Sequence, residues 1–422
     1  METISHFFTN KDRLNRKLLF LSLILFFALE FLIKNFGISD AGKYLIEIIF
    51  LIFFTRGIYR ARIVKKLKLA MPFVFLGLIT LELLISSILN MVDIGNVFVG
   101  ILGHYAGFSV FMISIYIMTI DDYKKLFNIF FYYQFVNLAC TIYQYFVLGY
   151  YQDMNNGAFT GGSSQDFFCG ILAIYYYSGY IRKEEPFWKV VFVFLSCGII
   201  AILQEEKFIL AEIALAIVYQ AVIGKKNIKN IFIISASAIL VPIVVSTMGE
   251  VNGDYASESL SNSNNIWENL TTEGAGYGFP RFGSTFLISR FFSFSSTNDL
   301  FGLGCGACEN TNLSWADTTF LDHYGYLNYF QYPIQLGFLQ TGWLGIILYI
   351  GFFVSIVVYN FKCKKHAPLK YKSYFDVAIM ISLICVSLIW YNQTLKWYYA
   401  IMPFLFLAMG PVCARQLKNN IQ

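Results

Sequence analysis

The sequence predicts an all-α polytopic membrane protein with about 12 transmembrane helices and one large extracytoplasmic loop before the last three. Of its 422 residues, 57% are hydrophobic and only 14% are charged, and the mean hydropathy is +0.59. So much apolar surface must face lipid. The apolar runs are too long and too unalternating for a β-barrel, and helices satisfy their own backbone groups in lipid.

Twelve apolar runs come near the length that crosses about 30 Å of hydrocarbon. They cover residues 18–34, 42–57, 69–90, 100–120, 126–150, 167–182, 189–204, 207–224, 231–247, 336–360, 375–391 and 397–413. The chain is therefore predicted to be a single membrane domain over residues 1–422, with the large loop at 248–335. The first run is followed by no small-residue cleavage site, so we expect it to remain as a span.

The basic residues give the predicted orientation. With the amino terminus inside, 25 of the 31 Lys and Arg residues fall in inward-facing segments. The six that remain outside are Lys34, Lys43, Lys207, Arg281, Arg290 and Lys396. Both termini are thus predicted to be cytoplasmic, and the net charge of +5 indicates topology and not a nucleic-acid partner.

The large outer loop is acidic and is much longer than an ordinary connection between helices. It carries nine Asp and Glu residues against two cations, Arg281 and Arg290. A guanidinium group offers a fork of donors that matches phosphate or diphosphate oxygens, which favours anion recognition by these arginines. The alternative is that each arginine pairs with a neighbouring carboxylate and only fixes the loop.

A glycine-rich turn follows Arg290. Gly302, Gly304 and Gly306 allow close backbone approach or positive φ. The turn lacks the strand and helix of a dinucleotide site and the Lys-Ser/Thr of a P-loop. Cys305 and Cys308 within it could form a small disulfide or be two ordinary turn residues.

A second polar cluster, Gln204 to Lys207, lies between two apolar runs on the predicted outer side. If Lys207 shares a cavity with Arg290, the two would form a cationic clamp for a lipid-linked diphosphate, and Glu205 or Glu206 would be a candidate base. The alternative is an interfacial cap in which the Lys207 side chain extends to the membrane surface.

His323 is the best histidine candidate for a general base or a diphosphate contact, because it lies in the outer loop beside Asp322. The Tyr-rich run from Tyr324 to Tyr332 follows it, and aromatic faces suit both sugar rings and a membrane interface. His104 lies in the fourth span, where a hydrogen-bonded structural role is expected. The chain has no Asp-x-Asp pair in an outer loop and no His cluster, so neither a metal nor another cofactor is expected.

Three short motifs accompany this layout. Leu300-Phe301-Gly302-Leu303-Gly304 follows Arg290, the run from Gly337 to Gly345 opens the next helix, and the turn from Asn156 to Gly162 precedes the sixth span. Over nearly the whole chain, this arrangement resembles the O-antigen and capsular polysaccharide polymerase family (Wzy) and the related O-antigen ligases. Lys207 stands where that family often has Arg, which keeps the charge and loses the fork. Gln331-Tyr332-Pro333 replaces the His-Asn of many ligases, which disfavours a ligase.

The resemblance implies metal-independent glycosyl transfer on the outer leaflet of the bacterial cytoplasmic (inner) membrane. The growing glycan would leave undecaprenyl diphosphate and join the non-reducing end of an incoming lipid-linked repeat unit. Arg290, Arg281 and Lys207 would hold the diphosphate, and His323 or a carboxylate would take the acceptor proton. A chain-length regulator and a flippase of the same pathway are candidate partners. The alternatives are a ligase that uses another acceptor and, in a different class, a lipid-linked oligosaccharide flippase, although no repeat relates the two halves of the chain.

Overall fold

The computed structural model describes residues 10–39, 42–58, 67–151, 154–204, 206–223, 279–280, 282–309, 318–330 and 332–421. Throughout these residues the regular structure is helical. Seven helical segments are long and apolar enough to cross a membrane. They are Asp12–Phe36, Ala70–Leu89, Ile94–Ile117, Phe187–Gln204, Pro333–His366, Leu369–Tyr391 and Trp397–Lys418. The described part of the protein is therefore all-α, and its long apolar helices indicate that it is embedded in a membrane.

Helices lie at eleven of the twelve predicted runs, and the run at 231–247 lies outside the described residues. In chain order we number them α1 (Asn10–Phe36), α2 (Gly42–Ile58), α3 (Ala70–Leu89), α4 (Ile94–Ile117), α5 (Ile120–Phe146), α6 (Gly162–Ile181), α7 (Phe187–Gln204), α8 (Lys207–Ile223), α9 (Ser284–Phe291), α10 (Ser296–Phe301), α11 (Thr319–Tyr324), α12 (Pro333–His366), α13 (Lys372–Tyr391), α14 (Ile401–Leu407) and α15 (Met409–Ile421). Because α2, α5, α6 and α8 are shorter or less apolar than the seven spans, the count of twelve stays a prediction.

The helices α4 and α5 begin earlier than their apolar runs because polar caps extend them. α4 begins at Ile94, where the Asp93 side chain accepts a hydrogen bond from the N–H of Gly95 at 2.8 Å. α5 begins at Ile120, where Thr119 and Asp122 form a capping box. A count of apolar residues alone does not detect these first turns.

α3 has the inside-out pattern of a membrane helix. Its large apolar side chains Leu81 and Ile88 are 53% and 74% exposed, whereas Glu82 and Ser86 are 2% and 0% exposed. Lipid is the environment that suits the apolar face, and the polar residues are directed into the protein. α6 is largely buried, because it packs against α7, α8 and α13.

The helices meet at two chemically different ends. At the basic end, Arg16 pairs with Asp122, and Arg182 and Lys364 both pair with Asp376. At the loop end, residues 300–309 pack against the α3–α4 turn and the start of α12, and the residues after α13 join them. The candidate site residues described below lie at the loop end.

Candidate functional site

The glycine turn is a close-packed backbone crossing. Gly302, Gly304 and Gly306 have φ values of +69°, +101° and +82°. A Cβ atom on Gly306 would lie 1.9 Å from the carbonyl oxygen of Asn96, and one on Gly302 would lie 2.4 Å from the carbonyl carbon of Gln340. Both the backbone conformation and the available space therefore require glycine in this turn.

The amides of the turn bind protein atoms. The N–H of Leu303 donates to the carbonyl oxygen of Leu339 at 2.6 Å, and that of Gly304 donates to the carbonyl oxygen of Gln340 at 3.0 Å. These two carbonyl groups face the turn because α12 is kinked at Gly342, with φ +57° and ψ −162°. Since its amides are bonded in this way, the turn holds the α12 kink and does not offer those groups to a phosphate.

A buried ion pair lies next to the turn. Nζ of Lys396 is 3.1 Å from Oε1 of Glu309, and the two side chains are only 8% and 2% exposed. Nε2 of Gln340 donates to the same Glu309 oxygen at 3.0 Å. The amide oxygen of Gln340 is 2.8 Å from Nε2 of His104, so that ring nitrogen is the donor. His104 is thus hydrogen bonded, as the sequence predicts.

A partly open cavity of about 40 Å³ adjoins this chain of contacts. Its polar lining side chains are Glu82, His104, Thr341, Tyr349 and Lys396, and its apolar walls come from α3, α12 and α13. Both carboxyl oxygens of Glu82 are buried and have no hydrogen-bond partner among the described residues. Glu82 lies within the membrane helix α3, where burying a carboxyl group that no described residue satisfies costs free energy.

Arg290 lies in the last turn of the short helix α9 and is exposed. Within the described ranges its guanidinium group forms no ion pair, which differs from Arg16 and Arg182 at the basic end. The centroid of the adjacent Phe292 ring lies 4.9 Å from the ring centroid of Tyr324 and 5.2 Å from that of Phe320. These aromatic contacts attach α9 to α11, the helix that carries His323.

His323 and Asp322 are exposed on α11. Nδ1 of His323 lies 2.7 Å from the carbonyl oxygen of Thr319, and because a carbonyl only accepts, Nδ1 is the protonated nitrogen. In the neutral ring this leaves Nε2 as a proton acceptor. The turn after α11 continues to Phe330, whose carbonyl accepts a 2.7 Å hydrogen bond from Gln393.

Glu206 and Lys207 lie at the start of α8 on the same end of the bundle. Glu206 is half-buried and accepts a 3.2 Å hydrogen bond from the Tyr391 hydroxyl. Asp166 on α6 also hydrogen bonds to Glu206, and two carboxyl groups joined in this way must share a proton. Lys207 is exposed. Arg281 and Glu205, the other predicted site residues, lie outside the described residues.

Cys305 and Cys308 are both buried free thiols. Burial raises the pKa of each thiol well above its usual range, with Glu309 adding to the effect. A raised pKa leaves little reactive thiolate, so these two residues are packing groups in the turn.

The sequence gives no reason to group the charged residues Glu82, Glu309 and Lys396. Lys396 is one of the six predicted outer cations, Glu309 is one of the nine acidic residues of the large loop, and Glu82 lies inside the apolar run 69–90. They are separated by up to 314 positions, and no local spacing links them. The available signal was the charge of Glu82 itself, because an ionisable residue in a span marks functional sites.

Neither a protein-family model nor a curated protein matches this chain.

Proposed function

We propose that this protein is a polysaccharide polymerase of the bacterial cytoplasmic membrane. It transfers the growing O-antigen or capsule glycan from undecaprenyl diphosphate to the non-reducing end of a lipid-linked repeat unit. Both termini are cytoplasmic in this proposal, and the loop end faces the periplasm or the outside. The observation that carries the proposal is Arg290, an exposed guanidinium group at the loop end with no ion-pair partner among the described residues.

The chemistry of the leaving group supports a role for this cation. When the anomeric carbon is attacked, its bond to the diphosphate oxygen breaks and negative charge develops on that oxygen. A preorganised guanidinium group stabilises this charge through paired N–H donors. Arg281 and Lys207 are proposed to assist, and no metal ion is required for this step.

The surroundings of Arg290 suit a glycan. The α9–α11 aromatic contacts present Tyr324 beside His323, and the Tyr326 side chain is 66% exposed. Exposed aromatic rings with a polar tip bind sugar faces and also lie well at a lipid headgroup interface. A substrate with a sugar chain at one end and an isoprenoid lipid at the other presents both kinds of surface.

The test is polymerisation by the purified protein. We expect the protein in detergent, supplied with one lipid-linked repeat unit and with neither nucleotide nor metal, to give a ladder of products on a gel. An intact donor would contradict the polymerase. In that case a second glycan acceptor would be added, since product there indicates a ligase, and failure again would favour a flippase.

Arg290→Ala should abolish the ladder while the protein still inserts into the membrane. Arg290→Lys keeps the charge and loses the paired donors, so it should slow the reaction about 10- to 100-fold, equivalent to one charge-assisted hydrogen bond of about 1.5–3 kcal/mol. Arg13→Ala is the matched control, because Arg13 is also an exposed arginine but lies at the basic end. Wild-type chain length in Arg290→Ala would exclude this role for Arg290.

A further inference from the structure

A second, largely apolar cavity of about 120 Å³ lies between α2 and α4. Glu47, Phe50 and Leu51 line it from α2, and their helical spacing places them on one face of that helix. On α4 the lining side chains also recur at helical spacing, from Phe98 to Ser109. The two lined faces therefore form a groove that follows both helices.

The groove has the length and the position of a lipid chain in one leaflet. Phe98 and Ser109 are about 16 Å apart along the axis of α4, which is about half of the roughly 30 Å hydrocarbon core. Phe98 is near the loop end, because Asn96 contacts the glycine turn at Gly306. Since Phe98 is 49% exposed and Ser109 only 1%, the groove is open towards the loop end and closes with depth.

Lys43 is a cation at the loop end of this groove. It lies one turn before Glu47 on the same face of α2. Its Nζ atom lies 4.8 Å from the ring centroid of Tyr398 and 5.8 Å from that of Tyr399. Among the described residues Lys43 forms no ion pair, and the residue is only half-buried. An anionic head group at the end of the groove can therefore reach this ammonium group.

Two carboxyl groups act on Lys43 electrostatically, those of Glu30 and Glu47. Glu30 accepts hydrogen bonds from the N–H and the hydroxyl of Thr160 at 2.9 and 2.6 Å and from the Tyr398 hydroxyl at 3.2 Å. Those contacts fix Glu30 within the protein. Glu47 lies one turn deeper in the groove, where a negative charge opposes the binding of an anion.

We propose that this groove holds the polyprenyl chain of the acceptor, the lipid-linked repeat unit, with Lys43 at its diphosphate. The assignment rests on the proposed polymerase function, in which two lipid-linked molecules react with each other. The donor reacts at the sugar that is joined to its diphosphate, so the donor diphosphate lies at the site of transfer. The acceptor reacts at its non-reducing end, so the acceptor diphosphate lies a whole repeat unit away.

The two cations lie on separate parts of the loop end. Lys43 is on α2, which packs against α1 and α4, whereas Arg290 is on α9, which packs against α12. This separation fits one lipid at each cation, the donor diphosphate at Arg290 and the acceptor diphosphate at Lys43.

The size of the groove suits a single chain. Since one water needs roughly 10–15 Å³, a volume of about 120 Å³ accommodates roughly eight to twelve non-hydrogen atoms, or about two isoprene units. The rest of the chain lies in the bilayer, and the diphosphate and the sugars stay outside the groove. A polyprenyl lipid has one chain and a phospholipid has two, so a groove of this width favours the polyprenyl lipid.

The first measurement is photolabelling of the wild-type protein in detergent. The probe is a polyprenyl diphosphate with a diazirine on its third isoprene unit. Peptide mapping should find an adduct on α2 or α4 along the groove, and excess undecaprenyl diphosphate should remove it, whereas excess phosphatidylglycerol should not. No adduct along the groove, or equal competition by phosphatidylglycerol, would overturn the assignment.

Variants of the charged residues test the position of the diphosphate. Lys43→Gln should weaken labelling of the groove about 10-fold, the loss of one charge-assisted contact. Lys34→Gln is the matched control, because Lys34 is also a predicted outer cation over a tyrosine ring, 5.7 Å from Tyr150, and does not line the groove. Glu47→Gln removes an acid and no cation, so it should be labelled at least as strongly as the wild type. Weaker labelling in Glu47→Gln would overturn the role of Lys43.

A variant that fills the groove tests the position of the chain. Ala106 lines the groove, so the ring in Ala106→Phe should occupy the space of the chain and reduce labelling at least about 10-fold. Ile94→Phe is the control, because Ile94 is 86% exposed at the start of α4 and does not line the groove. Equal labelling of the two variants would place the chain elsewhere.

Single-turnover transfer distinguishes the acceptor from the donor. With the donor already bound, Lys43→Gln should raise the acceptor concentration for half-maximal transfer about 10-fold and change the maximal rate less than about threefold. Arg290→Lys should lower the maximal rate instead. A Lys43→Gln protein that binds the donor more weakly and the acceptor normally would overturn the assignment to the acceptor.

The outcomes separate this inference from the function on which it rests. A wild-type ladder without labelling of the groove would leave the polymerase intact and exclude this site. If the wild-type protein forms no ladder, the polymerase proposal fails, and the acceptor role of the groove fails with it.

Discussion

Lys396 and Glu309 show why the charges at the loop end are not explained by stability alone. Taking two ions out of water costs several kcal/mol for each ion, and their attraction recovers that cost only with good geometry and further hydrogen bonds. Here Gln340 supplies one such bond to Glu309 Oε1, while Oε2 remains buried and has no partner among the described residues. An apolar pair of the same size would fill this space at a lower cost in free energy. The gain in stability from this ion pair is therefore small, and stability alone does not explain why two charges lie in this buried position.

The two thiols of the glycine turn give a prediction at the scale of single residues. Burial raises the pKa of Cys305 and Cys308, so both stay protonated and shielded at pH 8, and they should not react with a membrane-impermeant maleimide. A cysteine introduced at the exposed Thr297 nearby should be labelled quickly. We would measure labelling by mass spectrometry before and after denaturation. Fast labelling of either native thiol in the folded protein would contradict its buried position.

At the scale of elements, the glycine turn and the α12 kink form one unit. The turn approaches Gln340 through Gly302, and α12 approaches α10 through Gly342, where a Cβ atom would lie 2.4 Å from the carbonyl carbon of Leu300. Ser86 and Asn90 at the end of α3 add hydrogen bonds to the carbonyls of Phe301 and Gly302. This unit fixes the direction of the Gln340 side chain, which donates a hydrogen bond to Glu309 of the ion pair.

Gly306→Ala tests this unit. The substitution meets the Asn96 carbonyl oxygen at 1.9 Å and also requires positive φ, so it should destabilise the protein by about 2–5 kcal/mol, the sum of backbone strain and overpacking. Gly283→Ala is the control, because Gly283 also has positive φ, +76°, but no neighbouring atom lies within 4 Å of its Cβ position. It should lose only about 1–2 kcal/mol from backbone strain. The thermal unfolding midpoints in detergent are the measurement, and equal losses would show that the turn is not closely packed.

Hydropathy predicted the existence of the long helices well, because lipid exposure requires long apolar runs. The apolar runs gave the location of α3 and α12, and only their ends differ. Hydropathy did not predict the break between α14 and α15, where the last predicted span begins with the turn Trp397–Ala400 and is interrupted again near Ala408. Nor did it predict that Glu82, Glu309 and Lys396 lie together, since that depends on how distant helices pack. Local sequence patterns predict local structure, whereas the cavity forms only when distant helices pack together.

For the whole molecule, the difference in charge between the two ends agrees with the predicted orientation. The charged residues make different interactions at each end. At the basic end, cations pair with Asp122 and Asp376, and Arg415 donates to the carbonyl oxygens of Ile115, Tyr116 and Met118. Cations in short loops and near the ends of spans stay on the cytoplasmic side when a membrane protein inserts. Among the described residues, the loop end has fewer cations than the basic end, and the buried Lys396 lines the cavity. In the proposed function, an anionic lipid substrate reaches this end from the outer leaflet.

The orientation itself is the last prediction. In a background without the native cysteines, a cysteine at Ser263, in the part of the large loop that the structure does not describe, should react with an impermeant thiol reagent in intact cells. A cysteine at His366, exposed at the end of α12 beside the Lys364–Asp376 pair, should react only after the membrane is opened. The reason is that the 25 Lys and Arg residues that are predicted to face inward resist transfer across the membrane, whereas the acidic loop does not. The opposite labelling pattern would place the loop end on the cytoplasmic side, where lipid-linked repeat units on the outer leaflet could not reach Arg290, and the polymerase proposal would fail with the topology.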